Sequence, residues 1–222
     1  MKLIVASKRY SSWSLRPWLA MRVAGAPFEE QVIILRQPDT KAEIARYSPS
    51  GVVPVLRDGD LTVWDSLAII EYVAERFPEA GLWPADAGQR AVARSVSAEM
   101  HAGFQALRMA CPMNLGMRFA ARDRGEAVDA AVARVCAIWR GLREKHAASG
   151  PFLFGAFTAA DAMYAPVVCR LDGYSIPVDD VCRAYMDAVL ALPAFQEWRA
   201  AGLKEPGIAD YDNIDETLVA RF

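Results

Sequence analysis

The residues best suited to chemistry in this chain are hydroxyls and carboxylates set where helices begin. Tyr10-Ser11-Ser12-Trp13-Ser14-Leu15-Arg16-Pro17 places three serines just ahead of a proline. Proline is tolerated in the first turn of a helix, so Pro17 predicts a helix starting near Ser14, with Ser14 as its N-cap. Ser11 and Ser12 then stay in the preceding loop, facing the positive end of the helix dipole, where an anion is stabilised. All three serines equally suit turns and caps. Trp64-Asp65-Ser66 repeats the arrangement ahead of an apolar helical face. Asp65 is a good N-cap, and with Ser66 it offers a carboxylate, a hydroxyl and free amides to a charged ligand. Between these sites, Ser48-Pro49-Ser50-Gly51-Val52-Val53-Pro54-Val55-Leu56 sets a proline in a run that reads as a strand. Pro54 belongs either at a sheet edge, which the rarity of cis bonds favours, or in a cis turn that frees the Val53 amide and carbonyl. Thr158-Ala159-Ala160-Asp161 is a capping box with Phe157 as its staple residue, and its reading is structural.

The elements that position these residues follow from apolar periodicity. Leu3–Ala6, Glu30–Leu35, Val52–Leu56 and Leu61–Val63 predict short strands, the last two joined as a hairpin through Asp58-Gly59. Ser14–Val23 predicts one helix. Leu67, Ile70, Ala74 and Phe77 predict another, stopped by Pro78. The order β-α-β-α-β-β-α implies a small mixed sheet with helices packed on it. From Asp86 onward no strand is expected. Helices are expected over Glu99–Arg108, Glu126–His146, Ala159–Arg170, Asp179–Leu192 and Phe195–Ala201. The expected fold is therefore an α/β N-terminal domain over residues 1–80 and an all-α C-terminal domain over 87–222, linked through Gly81–Asp86.

Composition narrows the function. Of 222 residues 54% are hydrophobic, enough for a sizeable core, and the net charge of −2 gives no reason to bind nucleic acid. Cys111, Cys136, Cys169 and Cys182 are widely spaced and form no CxxC, and there are only two histidines, so no metal site is expected. The cysteines read as buried, reduced thiols of a cytoplasmic protein. The apolar run at the N-terminus is too short for a secretory signal, and no stretch reaches the roughly 20 apolar residues of a membrane span.

Taken together and in this order, the motifs resemble those of the cytosolic glutathione transferases, over nearly the whole chain. Ser-Pro-Ser-Gly-Val-Val-Pro is similar to the loop before that family's cis-proline. Trp-Asp-Ser-Leu-Ala-Ile-Ile-Glu-Tyr-Val is similar to its third helix, and Thr158–Asp161 to the capping box of its helical domain. The serine stretch is most similar to that of the zeta class, with Trp13 in place of the cysteine and Leu15 in place of the aromatic. Those departures bear on isomerisation of the maleylacetoacetate type. The resemblance implies a thioredoxin-like domain, glutathione as co-substrate without a metal, a small electrophile and a homodimer. It implies that Ser11, or Ser12 one step away, activates the thiol, with the phenol of Tyr10 a third candidate. Val53, ahead of Pro54, would pair with the cysteinyl unit, and Asp65 with Ser66 would hold the γ-glutamyl end. A peroxidase or disulfide reductase using the same thiolate, or a glutathione-binding regulatory protein with little turnover, needs the same groups.

The energetics are within reach of such residues. A thiol titrates near 8.5, and lowering this by about two units requires about 2.7 kcal/mol of preference for the anion. One hydroxyl hydrogen bond to a charged group supplies roughly 1.5–3 kcal/mol, and a helix N-terminus roughly 0.3–1. The electrophile pocket is expected between the domains. Trp13 would line it from the serine loop, and His101, Phe104 and Arg108 from one face of the first C-terminal helix. The alternative is that Phe104 is core and Arg108 pairs with an acid.

Overall fold

The sheet is built outward from β1 (Lys2–Ala6), which is buried from Leu3 onward. It pairs in parallel with β2 (Glu29–Ile33) and antiparallel with β3 (Val55–Asp58). β4 (Leu61–Trp64) closes on β3 through a turn at Gly59, whose φ of 59° suits a residue without a side chain, giving the order β2-β1-β3-β4. The parallel pair needs a crossover, supplied by α1 (Ser12–Val23); α2 (Thr40–Ala45) leads towards β3, and α3 (Ser66–Arg76) follows β4. The computed structural model describes residues 1–222.

Beyond the sheet come α4 (Ala87–Ala102), α5 (Gln105–Ala110), β5 (Met117–Phe119), α6 (Glu126–His146) and α7 (Ala159–Gly173). They are followed by α8 (Asp180–Ala191), α9 (Pro193–Leu203), α10 (Ala209–Asp212) and β6 (Leu218–Arg221). α1 stands at the junction, packed against α3 on one side and α7 and α9 on the other. A single apolar cluster runs from Leu3 and Val5 through Trp18 and Ile70 to Trp139, Tyr164 and Trp198. Ile4 points to the opposite face of the sheet, where it meets Ile33, Ile44 and Val55, as the two-residue period of a strand requires. Leu82 and Trp83 of the linker are buried, and the Leu82 carbonyl accepts from the Ala159 amide at 2.7 Å. No helix is long and apolar enough to cross a membrane.

Four expectations are corrected. α1 begins at Ser12 rather than Ser14. Ser11 is its N-cap, accepting from the Ser14 amide, and Pro17 sits beyond the first turn. Val53-Pro54 is a cis peptide bond, and β3 is an interior strand that begins only at Val55. With Pro54 ahead of the ladder, no ladder hydrogen bond is lost. The segment 99–108 is two helices, because Gly103 and Phe104 leave the helical path, Phe104 at a φ of 56°. Finally, the C-terminal region contains a two-stranded sheet, β5 with β6, made from segments a hundred residues apart in sequence. The two strands pair across the chain and not through a hairpin, which is why the sequence hides them.

Candidate functional site

A cleft of about 540 Å³ opens where β1, α1, the Val53-Pro54 turn and the start of α3 converge. Tyr10, Ser11, Ser12 and Trp13 line one side, and Val53, Pro54, Asp65 and Ser66 the other. The residues singled out in the N-terminal region are thus brought together, although they span more than fifty positions of sequence.

The serine loop is fixed from both ends. The Ser14 hydroxyl oxygen accepts from the Ala6 amide at 3.0 Å, tying the helix to the end of β1. Ser11 donates its hydroxyl to Ser14 Oγ at 2.9 Å and accepts from the Ser14 amide at 3.3 Å. Ser12 Oγ accepts from Nη2 of Arg170 on α7 at 3.2 Å. Tyr10 donates to Asp212 at 2.9 Å and accepts from the Ile208 amide at 3.0 Å, and burial pushes its phenol up to about 12. A phenol so held is already spent as a donor, as is the Ser11 hydroxyl, whereas Ser12 only accepts.

The preceding residues are clamped by the far end of the chain, which local sequence reasoning missed. Trp198 on α9 donates its indole N–H to the Lys8 carbonyl at 2.9 Å. Glu205 accepts from the amides of Lys8 and Arg9, while burial raises its carboxyl above the usual range. A side chain at Gly202 would run into the Arg9 amide at 2.8 Å, so only glycine lets α9 approach this closely.

On the opposite wall, Val53 lies ahead of the ladder, and its amide and carbonyl enter none of the loop hydrogen bonds. Asp65, at a φ of 74°, caps α3 by accepting from the amides of Leu67 and Ala68. Its other oxygen lies 3.2 Å from Nε2 of His101. Ser66 is fully buried and accepts from Nη1 of Arg16 at 3.3 Å.

The C-terminal residues expected around the pocket are placed differently. His101 and Arg108 both reach Trp13, its ring edge-on to His101 at 5.1 Å and beneath the Arg108 guanidinium at 4.8 Å. They support Trp13 from behind and do not line the cleft. Phe104 packs against the apolar core. Arg16 stacks on the same Trp13 ring at 4.1 Å. Burial, with Arg170 and Arg108 close by, lowers its guanidinium to about 9, and that of Arg170 to about 10.

All four cysteines are buried and unbridged. Cys136 and Cys182, 46 positions apart in sequence, meet Asp179, with ligand-type atoms within 4.8 Å of one another. Asp179 already caps α8 through the Cys182 amide and pairs with Arg140 at 2.7 Å.

A four-stranded sheet of this order, with a helix start and a cis-proline facing one cleft and helices behind it, defines a thioredoxin-like ligand domain joined to a helical one. Residues 10–76 match the family described as "Glutathione S-transferase, N-terminal domain". The chain has the glutathione transferase fold, with zeta-like similarity. It is 37% identical over 92 residues to Glutathione S-transferase 1 of Dianthus caryophyllus, covering 41% of this chain and 42% of that one. With a zeta-class glutathione S-transferase of Euphorbia esula it shares 27% over 165 residues, covering 73% and 70%. For most of the curated relatives it matches, the matched stretch spans half their length or less. Among solved structures, a bacterial zeta-class maleyl pyruvate isomerase overlays with a TM-score of 0.70 at 24% identity, covering 93% of this chain and 99% of that one.

Proposed function

We propose that the protein is a glutathione transferase, which binds glutathione in this cleft and activates its thiol for attack on a small electrophile. The observation that carries the reading is the meeting, in one cleft, of the serine hydroxyls at the start of α1, the free Val53 backbone beside Pro54, and the Asp65-Ser66 pair. Residues 1–80 form the glutathione-binding domain and 87–222 the helical domain. Val53 pairs with the cysteinyl unit, and Asp65 with Ser66 holds the γ-glutamyl end. The electrophile approaches along Trp13, which His101 and Arg108 hold in place. No metal is needed for this chemistry. A cytoplasmic homodimer suits the reading, and exposed Val92 and Met109 on α4 and α5 offer apolar surface for it.

Titration of the wild type with glutathione, followed by the ultraviolet absorbance of bound thiolate, tests this. The bound thiol is expected to ionise at least about one unit below its solution value near 8.5. A thiol that binds yet titrates at the solution value leaves a glutathione-binding protein, not an enzyme. Glutathione-dependent isomerisation of an unsaturated acid is the second reading, favoured by overlap with the zeta-class isomerase. It uses the same thiolate, and a panel of electrophiles and isomerisable acids separates the two.

Asp65→Asn keeps an acceptor for the α3 amides and removes the charge. Glutathione affinity is expected to fall by about 1.5–3 kcal/mol, roughly tenfold to a hundredfold, as for a lost charged hydrogen-bond partner. Calorimetry at neutral pH reads it. Unchanged affinity would remove Asp65 from the binding site.

A further inference from the structure

Three arginines meet behind the cleft with no carboxylate in direct contact, Asp65 acting on Arg16 only from beyond ion-pair distance. Arg16 on α1, Arg108 on α5 and Arg170 on α7 form no ion pair, although Arg16 and Arg170 are almost entirely buried. The Nε atoms of Arg16 and Arg170 have no hydrogen-bond partner. Burying charge without a direct partner destabilises a fold, and perturbed charged groups beside a cleft cluster at functional sites.

What these arginines touch is specific. Arg170 donates to Ser12 Oγ and Arg16 donates to Ser66 Oγ, and both hydroxyls line the cleft. A guanidinium only donates, so each serine oxygen is the acceptor and keeps its own proton for a third party. Neither hydroxyl has another protein partner, so each is left as a donor for an anion in the cleft. Ser11 is in the opposite state, its proton already given to Ser14 and its oxygen occupied by the Ser14 amide.

Resting on the glutathione reading, we propose that Ser12 is the thiol-activating hydroxyl and that Arg170, reaching it from the helical domain, is a positioning residue that makes Ser12 a stronger donor. Ser11 is the structural cap of α1. The thiol of bound glutathione loses its proton to solvent, and Ser12 keeps its own proton and donates it as a hydrogen bond to the thiolate sulfur. The field of Arg170, Arg16 and Arg108 adds to this. The other ionisable groups near these arginines are Asp65 and His101 on the Trp13 side, and Cys111, Cys169 and Tyr174 around Arg170.

The experiment compares Ser11→Ala, Ser12→Ala, Arg170→Met and Arg170→Lys with wild type. It reads thermal stability, the pKa of bound glutathione, and affinity for glutathione and for S-methylglutathione, which has no ionisable thiol. Ser12→Ala and Arg170→Met are expected to raise the bound thiol pKa by about one to two units, and Arg170→Lys by less. They should leave S-methylglutathione affinity unchanged. Arg170→Met is also expected to fold as stably as wild type or better, because it removes an unpaired buried charge. Ser11→Ala should lower stability and move the thiol pKa little. A purely structural Arg170 would give the reverse, lost stability with an unmoved pKa. If Ser11→Ala shifts the thiol while Ser12→Ala does not, the assignment is overturned with the glutathione reading intact. If wild type binds neither ligand, that reading falls and this assignment with it.

Discussion

Trp198→Ala is expected to cost about 3–5 kcal/mol of folding stability, the usual range for deleting a buried tryptophan. The side chain is fully buried and stacks edge-on against Trp18 at 5.1 Å. Its removal also strands the Lys8 carbonyl, which accepts the indole N–H at 2.9 Å. Lys8 lies two residues before Tyr10, at the root of the serine loop, so the same change should loosen that loop and weaken the glutathione binding proposed for the cleft. Trp198→Phe separates the two effects. It keeps most of the buried area and loses the hydrogen bond, so about 1 kcal/mol of stability is expected to go. Chemical denaturation alongside calorimetric titration reads both. A Trp198→Ala protein within about 1 kcal/mol of wild type would show that α9 does not anchor the loop.

Asp161→Ala is the second large loss expected, also about 3–5 kcal/mol, because it breaks a fully buried polar network. One carboxylate oxygen accepts from the Leu153 amide at 3.0 Å, and the other from the Thr158 amide and hydroxyl at 2.8 and 2.9 Å. Alanine leaves all three donors buried and unpaired. Burial raises this carboxyl from 3.8 to about 6, against the pull of its hydrogen bonds. A carboxyl raised in the folded state binds its proton more tightly there. Its contribution is therefore complete below pH 3.8 and is lost as pH rises through about 6. Asp161→Asn cannot ionise, so the stability gap between wild type and this variant should narrow from pH 4 to pH 7. A gap that widens over that range would show the hydrogen bonds outweighing burial. Loss of the network also loosens the start of α7, the helix that carries Arg170.

Much of this was legible in the sequence because it is locally encoded. The Asp58-Gly59 hairpin, the capping box at Thr158 and the helix over Glu126–His146 appear as expected, since a turn residue, a cap and an apolar period act within a few positions. Local signals also misled. Pro17 pointed to a helix start at Ser14, but α1 is capped by Ser11 and packed against α3, α7 and α9, and it holds Pro17 beyond its first turn. The spacing of His101, Phe104 and Arg108 put them on one helical face. The backbone breaks at Gly103 instead, and His101 and Arg108 meet through Trp13.

By itself the sequence determined the inventory: a small mixed sheet followed by helices, and serines and an aspartate set at helix starts. These depend on propensity, capping and periodicity, which operate over one or two turns of chain. Tertiary structure alone decided how alike residues differ. Ser11 and Ser12 are neighbours of the same type, yet one gives its proton to Ser14 and the other keeps its own while accepting from an arginine 158 positions away. Hydrogen-bond donors and buried charges are assigned by whatever the fold brings within about 3 Å, and no local pattern carries that information.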